Sequence, residues 1–91
     1  MNPSTAITGV LTFVGEIQTF GQNQTPKRMI LIKTEGDYQE LYQVELLKAR
    51  VNLSDSFGVG ELVTAQCNLQ SREFQGKYYL NLHGWRLDKV G

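Results

Sequence analysis

The chain has 91 residues, 41% hydrophobic and 20% charged. This is ordinary globular usage, which excludes a disordered or fibrous chain, and the length suits one domain over residues 1–91 that buries about 60 to 65% of its unfolded surface. Nine Lys and Arg balance nine Asp and Glu, so no overall field draws the protein to nucleic acid, an anionic membrane or an acidic substrate, and any polyanion site must be a local patch.

From Ala6 to Phe20, AITGVLTFVGEIQTF is rich in β-branched and aromatic residues and is interrupted by Gly9 and Gly15. Glycine inside such a run marks a bulge or tight bend, so a long, bent strand is expected. GQNQTPK reads as a loop, KRMILIKT (27–34) as a second strand and EGDYQ as a turn. ELYQVELLKARVNL is ambiguous: Leu41, Val44 and Leu47 share a helical face, whereas Tyr42, Val44 and Leu46 share a strand face. The preceding strands favour a third strand over 39–47, with a short helical turn over about 48–57 before Gly58 and Gly60. ELVTAQCNLQSREF alternates, with Val63, Ala65, Cys67 and Leu69 on one side and Thr64, Gln66, Asn68, Gln70 and Arg72 on the other. Gln75-Gly76 then turns the chain into KYYLNLHGWRL, where Tyr78, Leu80 and Leu82 share a face, with Leu80 and Leu82 expected in the core and Tyr79, Asn81 and His83 facing outward. A bulge at Gly84 would bring Trp85 and Leu87 to the core side. Three strands, a short helix and two strands, two of them bent at glycine, fit an all-β, five-stranded OB-fold Greek-key barrel.

Cys67 is the single cysteine and His83 the single histidine. Neither an internal disulfide nor a Cys/His metal set can form, so no metal or cofactor is expected. Cys67, on an apolar face, reads as buried filler rather than a nucleophile. MNPSTAITG lacks the charged start and apolar stretch of a signal peptide, and no apolar run approaches the roughly 18 residues of a membrane span. The expected location is the reducing cytoplasm, with no membrane partner.

ITG, KTEGDYQ, VELLKARVNL, VGELV and above all SREFQGKYYLNLHGW resemble a family of short single-OB-fold proteins of bacteria and their phages, a domain of uncharacterised function akin to single-stranded DNA-binding proteins. The match spans nearly the whole chain and is most specific in the last hairpin: Ser71-Arg72-Glu73, then an aromatic, Gly76, Lys77, Tyr78, Tyr79 and Trp85. The resemblance implies the OB topology, makes 39–47 a strand, and by kinship suggests single-stranded DNA binding. Ordinary bacterial single-stranded DNA-binding proteins end in an acidic, partner-recruiting tail, whereas this chain ends at RLDKVG, so recruitment by such a tail is not expected.

Sequence-tolerant single-strand binding needs cations along the phosphates and flat rings on which bases stack. Lys27, Arg28 and Lys33 cluster on the second strand, with Met29 and Leu31 as apolar neighbours; a solvated strand edge is the rival account. In the last hairpin Arg72, Lys77 and Arg86 supply charge and Phe74 and Tyr79 supply rings, against the alternative that the rings are cross-strand staples. Trp85 is read as core rather than platform. His83 has no carboxylate partner evident in sequence and is assigned to phosphate contact, and Phe20, with Gln22, Asn23 and Gln24, belongs to a candidate gripping loop. No nucleophile motif, phosphate-cradling loop or forced carboxylate pair points to an enzyme. The expected function is a homo-oligomeric single-stranded DNA-binding protein, dimer or tetramer, serving replication or repair. Its alternative is a non-catalytic assembly subunit that contacts proteins of a replication or phage complex.

Overall fold

The computed structural model describes residues 3–22 and 24–90, except for the side chains of Phe20 and Arg72. In chain order it contains β1 (Ser4–Val14), β2 (Gln18–Phe20), β3 (Thr25–Lys33), β4 (Leu41–Leu47), a 3₁₀ helix (Lys48–Ser56), β5 (Leu62–Phe74) and β6 (Lys77–Lys89). The expected long first strand is thus β1 and β2, separated at Gly15, whose N–H still donates to Met29 O at 2.8 Å. The sheet runs β1-β5-β6-β4-β3-β2, and an additional β1–β3 pairing closes it. This is the Greek-key barrel of an OB-fold, with the helix between β4 and β5 as expected.

Closure depends on β1 serving two neighbours. Ser4 to Val10 pair with β5, and Val10 to Val14 pair with β3. Where the strand changes partner it passes so close to β3 that a Cβ on Gly9 would lie 2.3 Å from the Lys33 carbonyl oxygen. Past this crossing the register shifts between Leu11 and Phe13, leaving Thr12 as the extra residue of a bulge. Its hydroxyl donates to Leu31 O at 3.2 Å.

The hairpin of β5 and β6 forms the opposite wall. Gln75 and Gly76 have φ of 53° and 77°, the double positive φ of a type I′ turn, whose twist matches that of the flanking strands. A second bulge interrupts this hairpin: Gln66 pairs with Arg86 but Cys67 pairs with Gly84. Gly84 packs where a Cβ would meet Val44 Cγ1 at 2.9 Å and Leu46 Cδ2 at 3.0 Å, so β6 can lie directly on β4.

The interior is filled by alternating residues from each wall, including Leu11, Ile30, Ile32, Val44, Leu46, Val63, Ala65 and Cys67. Val51 of the 3₁₀ helix covers one end of the barrel. Burial pushes the Cys67 thiol up to about 11, as for an acid whose charged form loses its water.

Two expectations are corrected. Leu80 is 67% exposed instead of buried, as is Tyr78 on the same face at 75%, because Leu80 lines an open depression with Leu41 and residues of β1 and does not enter the closed interior. Leu82, nearer the barrel, does pack partly against the core. The expected bulge brings Leu87 inside, but Trp85 is itself the unpaired extra residue and stays 38% exposed.

Two measurements check this account. Gly9→Ala should destabilise the protein by about 1–3 kcal/mol or more in urea unfolding, since the clash is with backbone rather than a movable side chain. Iodoacetamide at mildly alkaline pH should leave Cys67 unmodified in the native protein and alkylate it in urea, because the thiolate is the reacting species.

Candidate nucleic-acid interface

Outward-facing residues of β3, β4 and β6 meet across the barrel wall. On β3 the odd positions Lys27, Met29, Leu31 and Lys33 alternate with the buried Ile30 and Ile32, so the odd side chains face away from the core. Lys27 and Glu45 with Leu47 form one side of a groove of about 730 Å³; Gln70, Ser71, Phe74, Tyr79, Asn81 and His83 of the hairpin form the other. Phe74 and Tyr79 are 56% and 48% exposed. A second depression of about 440 Å³, lined by Phe13, Glu16, Gln18, Met29 and Gln43, shares Lys27 with the first. The two adjoin at Lys27 and so make one path along the barrel face, with Phe13 lining one part and Phe74 and Tyr79 the other.

The middle of this path is an ionic cluster. Lys27 Nζ lies 2.9 Å from Glu45 Oε1, and His83 Nε2 lies 3.2 Å from Glu45 Oε2. Glu45 is only 15% exposed at its side chain. Glu45 and His83 are also the paired positions where β4 meets β6 in parallel, so barrel closure itself brings the carboxylate and imidazole together.

The remaining sequence candidates are dispersed. Arg28 lies on the core-side parity of β3 and turns into the 3₁₀ helix, where its Nη1 donates to Val51 O at 3.1 Å, Ser54 Oγ at 3.0 Å and Asp55 Oδ1 at 2.9 Å. Its Nε is buried without a hydrogen-bond partner among the described residues. The guanidinium therefore clamps the helix to the barrel instead of facing the groove. Lys33 is exposed at the far end of β3, and Lys77 is exposed beside the hairpin turn; neither lines the groove. Arg86 pairs with Asp88 at 2.9 Å on the outer wall, a surface contact worth little. The side chains of Phe20 and Arg72 and the whole of Asn23 lie outside the described residues.

Sequence reasoning missed two residues and a contact. Glu45 alternates outward beside Val44 and Leu46, a visible signal, but its pairing with His83 depends on the β4–β6 contact. Phe13 shares parity with the buried Leu11 and would point inward in a regular strand; the Thr12 bulge turns it out to 45% exposure. Among the described residues no group of three or more His, Cys, Asp or Glu is placed to hold a metal, and no helix is long and apolar enough to cross a membrane.

Residues 6–88 match the family described as a domain of unknown function, DUF3127. The chain belongs to this family. No match is found among curated proteins. Solved structures similar in fold include the following two. One is the SSB domain of a protein from Synechococcus sp., 18% identical, with a TM-score of 0.74 over 97% of this chain and 94% of that one. The other is the mitochondrial single-stranded DNA-binding protein Rim1 of S. cerevisiae, 14% identical, with a TM-score of 0.79 over 99% and 97%. At these identities the likeness is one of fold, and this DUF3127 domain is an OB barrel of the same build.

The clamp predicts a separation of roles. Arg28→Ala should lower stability by about 1–3 kcal/mol, the cost of stranding part-buried acceptors, while the groove, which Arg28 does not line, stays unperturbed; a melting curve and amide chemical shifts of the groove residues check both.

Proposed function

We propose that the domain binds single-stranded DNA along the groove between β3–β4 and the β5–β6 hairpin, as a non-catalytic protein tolerant of sequence over most of its contact. The observation that carries this is the placement of three exposed rings, Phe13, Phe74 and Tyr79, along a path that contains Lys27. Exposed rings on a soluble barrel invite stacking, and stacking accepts any base. The similar folds of the Synechococcus SSB domain and Rim1 support the choice of ligand. With zero net charge, affinity for a polyanion must come from local cations and repeated copies, so the working form is a homo-oligomer. Cytoplasmic work in replication or repair, in bacteria or their phages, is the setting this function fits.

A second reading, a protein-assembly subunit, has its own support. Leu41, Leu80 and Tyr78 are 59%, 67% and 75% exposed, and Leu41 and Leu80 line a depression of about 550 Å³ at the β1 side of the barrel. Apolar groups in the open suit contact with another protein chain.

Fluorescence anisotropy of a labelled mixed-sequence single strand across a salt series tests the first reading. Binding should weaken log-linearly with salt, and no binding at micromolar protein and low salt overturns it in favour of the second. Within the first, Tyr79→Ala should lose about 1–3 kcal/mol of binding with little change in melting temperature, the value of one stacked base. An early-melting Tyr79→Ala that still binds normally makes the ring a staple.

A further inference from the structure

The centre of the groove is not a cationic floor. Glu45 holds Lys27 with one oxygen and His83 with the other, at 2.9 Å and 3.2 Å. A phosphate at this point meets a carboxylate that already engages Lys27 and His83, and like charges at such separations repel. The backbone of a bound strand therefore gains least here, although the rings of Phe74 and Tyr79 line the same groove.

A base edge suits the centre better. Each carboxylate oxygen has two acceptor positions, so Glu45 can accept further hydrogen bonds while keeping its contacts with Lys27 and His83. Asn81 and Gln70, paired across β5 and β6, add amides to the same wall. Unpaired strands expose their Watson–Crick edges. On that edge cytosine offers its N4 amino group, the usual partner of a Glu or Asp side chain, and guanine offers N1–H with its 2-amino group. Thymine offers one N–H flanked by two carbonyl oxygens, which face the carboxylate acceptor to acceptor.

We propose that Glu45 is a specificity residue, reading the amino group of a base stacked in the groove and disfavouring thymine. The proposal rests on the reading that the groove holds a single strand. It adds one discriminating position to an otherwise tolerant site.

Labelled oligo-dC and oligo-dT of about 12 nucleotides, within the span of one OB domain, are titrated at low salt in mildly alkaline buffer. The wild-type protein should bind oligo-dC about five- to tenfold more tightly, the lower range for one base-edge contact. Glu45→Gln should narrow the ratio to within about twofold, mainly by tightening oligo-dT, since an amide both donates and accepts. Lys27→Gln, a control, should weaken both ligands by a similar factor and leave the ratio in place. Equal wild-type binding of the two oligonucleotides overturns the proposal while leaving single-strand binding intact, and that comparison needs no variant to fold. Equal tightening of both by Glu45→Gln also overturns it, making Glu45 a repellent of phosphate only. If neither oligonucleotide binds, the single-strand reading fails and the proposal fails with it.

Discussion

The barrel exists because two strands can come closer to their neighbours than side chains ordinarily permit. β1 can leave β5 for β3 only where its backbone lies against the Lys33 carbonyl, and position 9 has no Cβ to prevent it. β6 can rest on β4 only because Gly84 leaves room for Val44 and Leu46. With a core drawn from a short chain, a wider separation at either crossing would admit water between walls that each bury one face, and the interior is too thin to lose that contact.

The candidate surface is a by-product of the same two crossings. The β4–β6 contact permitted by Gly84 aligns Glu45 with His83, which places charge in the groove without any basic run in the sequence. The β1–β3 contact forces an extra residue into β1, and that bulge turns Phe13 to the outside. Bulges recur beside binding sites because they redirect a side chain without moving the strand. The Trp85 bulge does the same on the far wall.

What could be read in advance follows the range of the interaction. Alternation in β5 gave Val63, Ala65 and Cys67 as core, and turn chemistry at Gln75-Gly76 gave the hairpin, since both are local. The helical segment was legible from its polar stretch between strand and glycines, and it spans Lys48–Ser56. Arg28 was within reach of the same logic: its parity is that of Ile30 and Ile32, which sets it apart from Lys27, yet adjacency in sequence grouped the two as one patch. Leu80 was illegible because alternation reports which way a side chain points and not whether anything lies opposite. The Glu45 pairing with His83 was illegible for a similar reason, as it joins strands far apart in the chain and no spacing rule connects them.

The exchange of partners by β1 also orders events in time. Its first half pairs with β5, from Val10 opposite Leu62 down to Ser4 opposite Asn68, and Thr8 and Thr64 share a hydrogen bond across a separation of 56 residues. During synthesis, at about 5–20 residues per second, that partner emerges only after roughly 3 to 10 s. Until then Ile7 has no barrel to enter, and the half-strand around it presents an open edge to other nascent chains. Such distant pairing slows folding because the loop must close before any contact rewards it. The first half of the strand that seals the finished domain thus waits for its β5 partner until late in synthesis, and until then nothing of the barrel covers its edge.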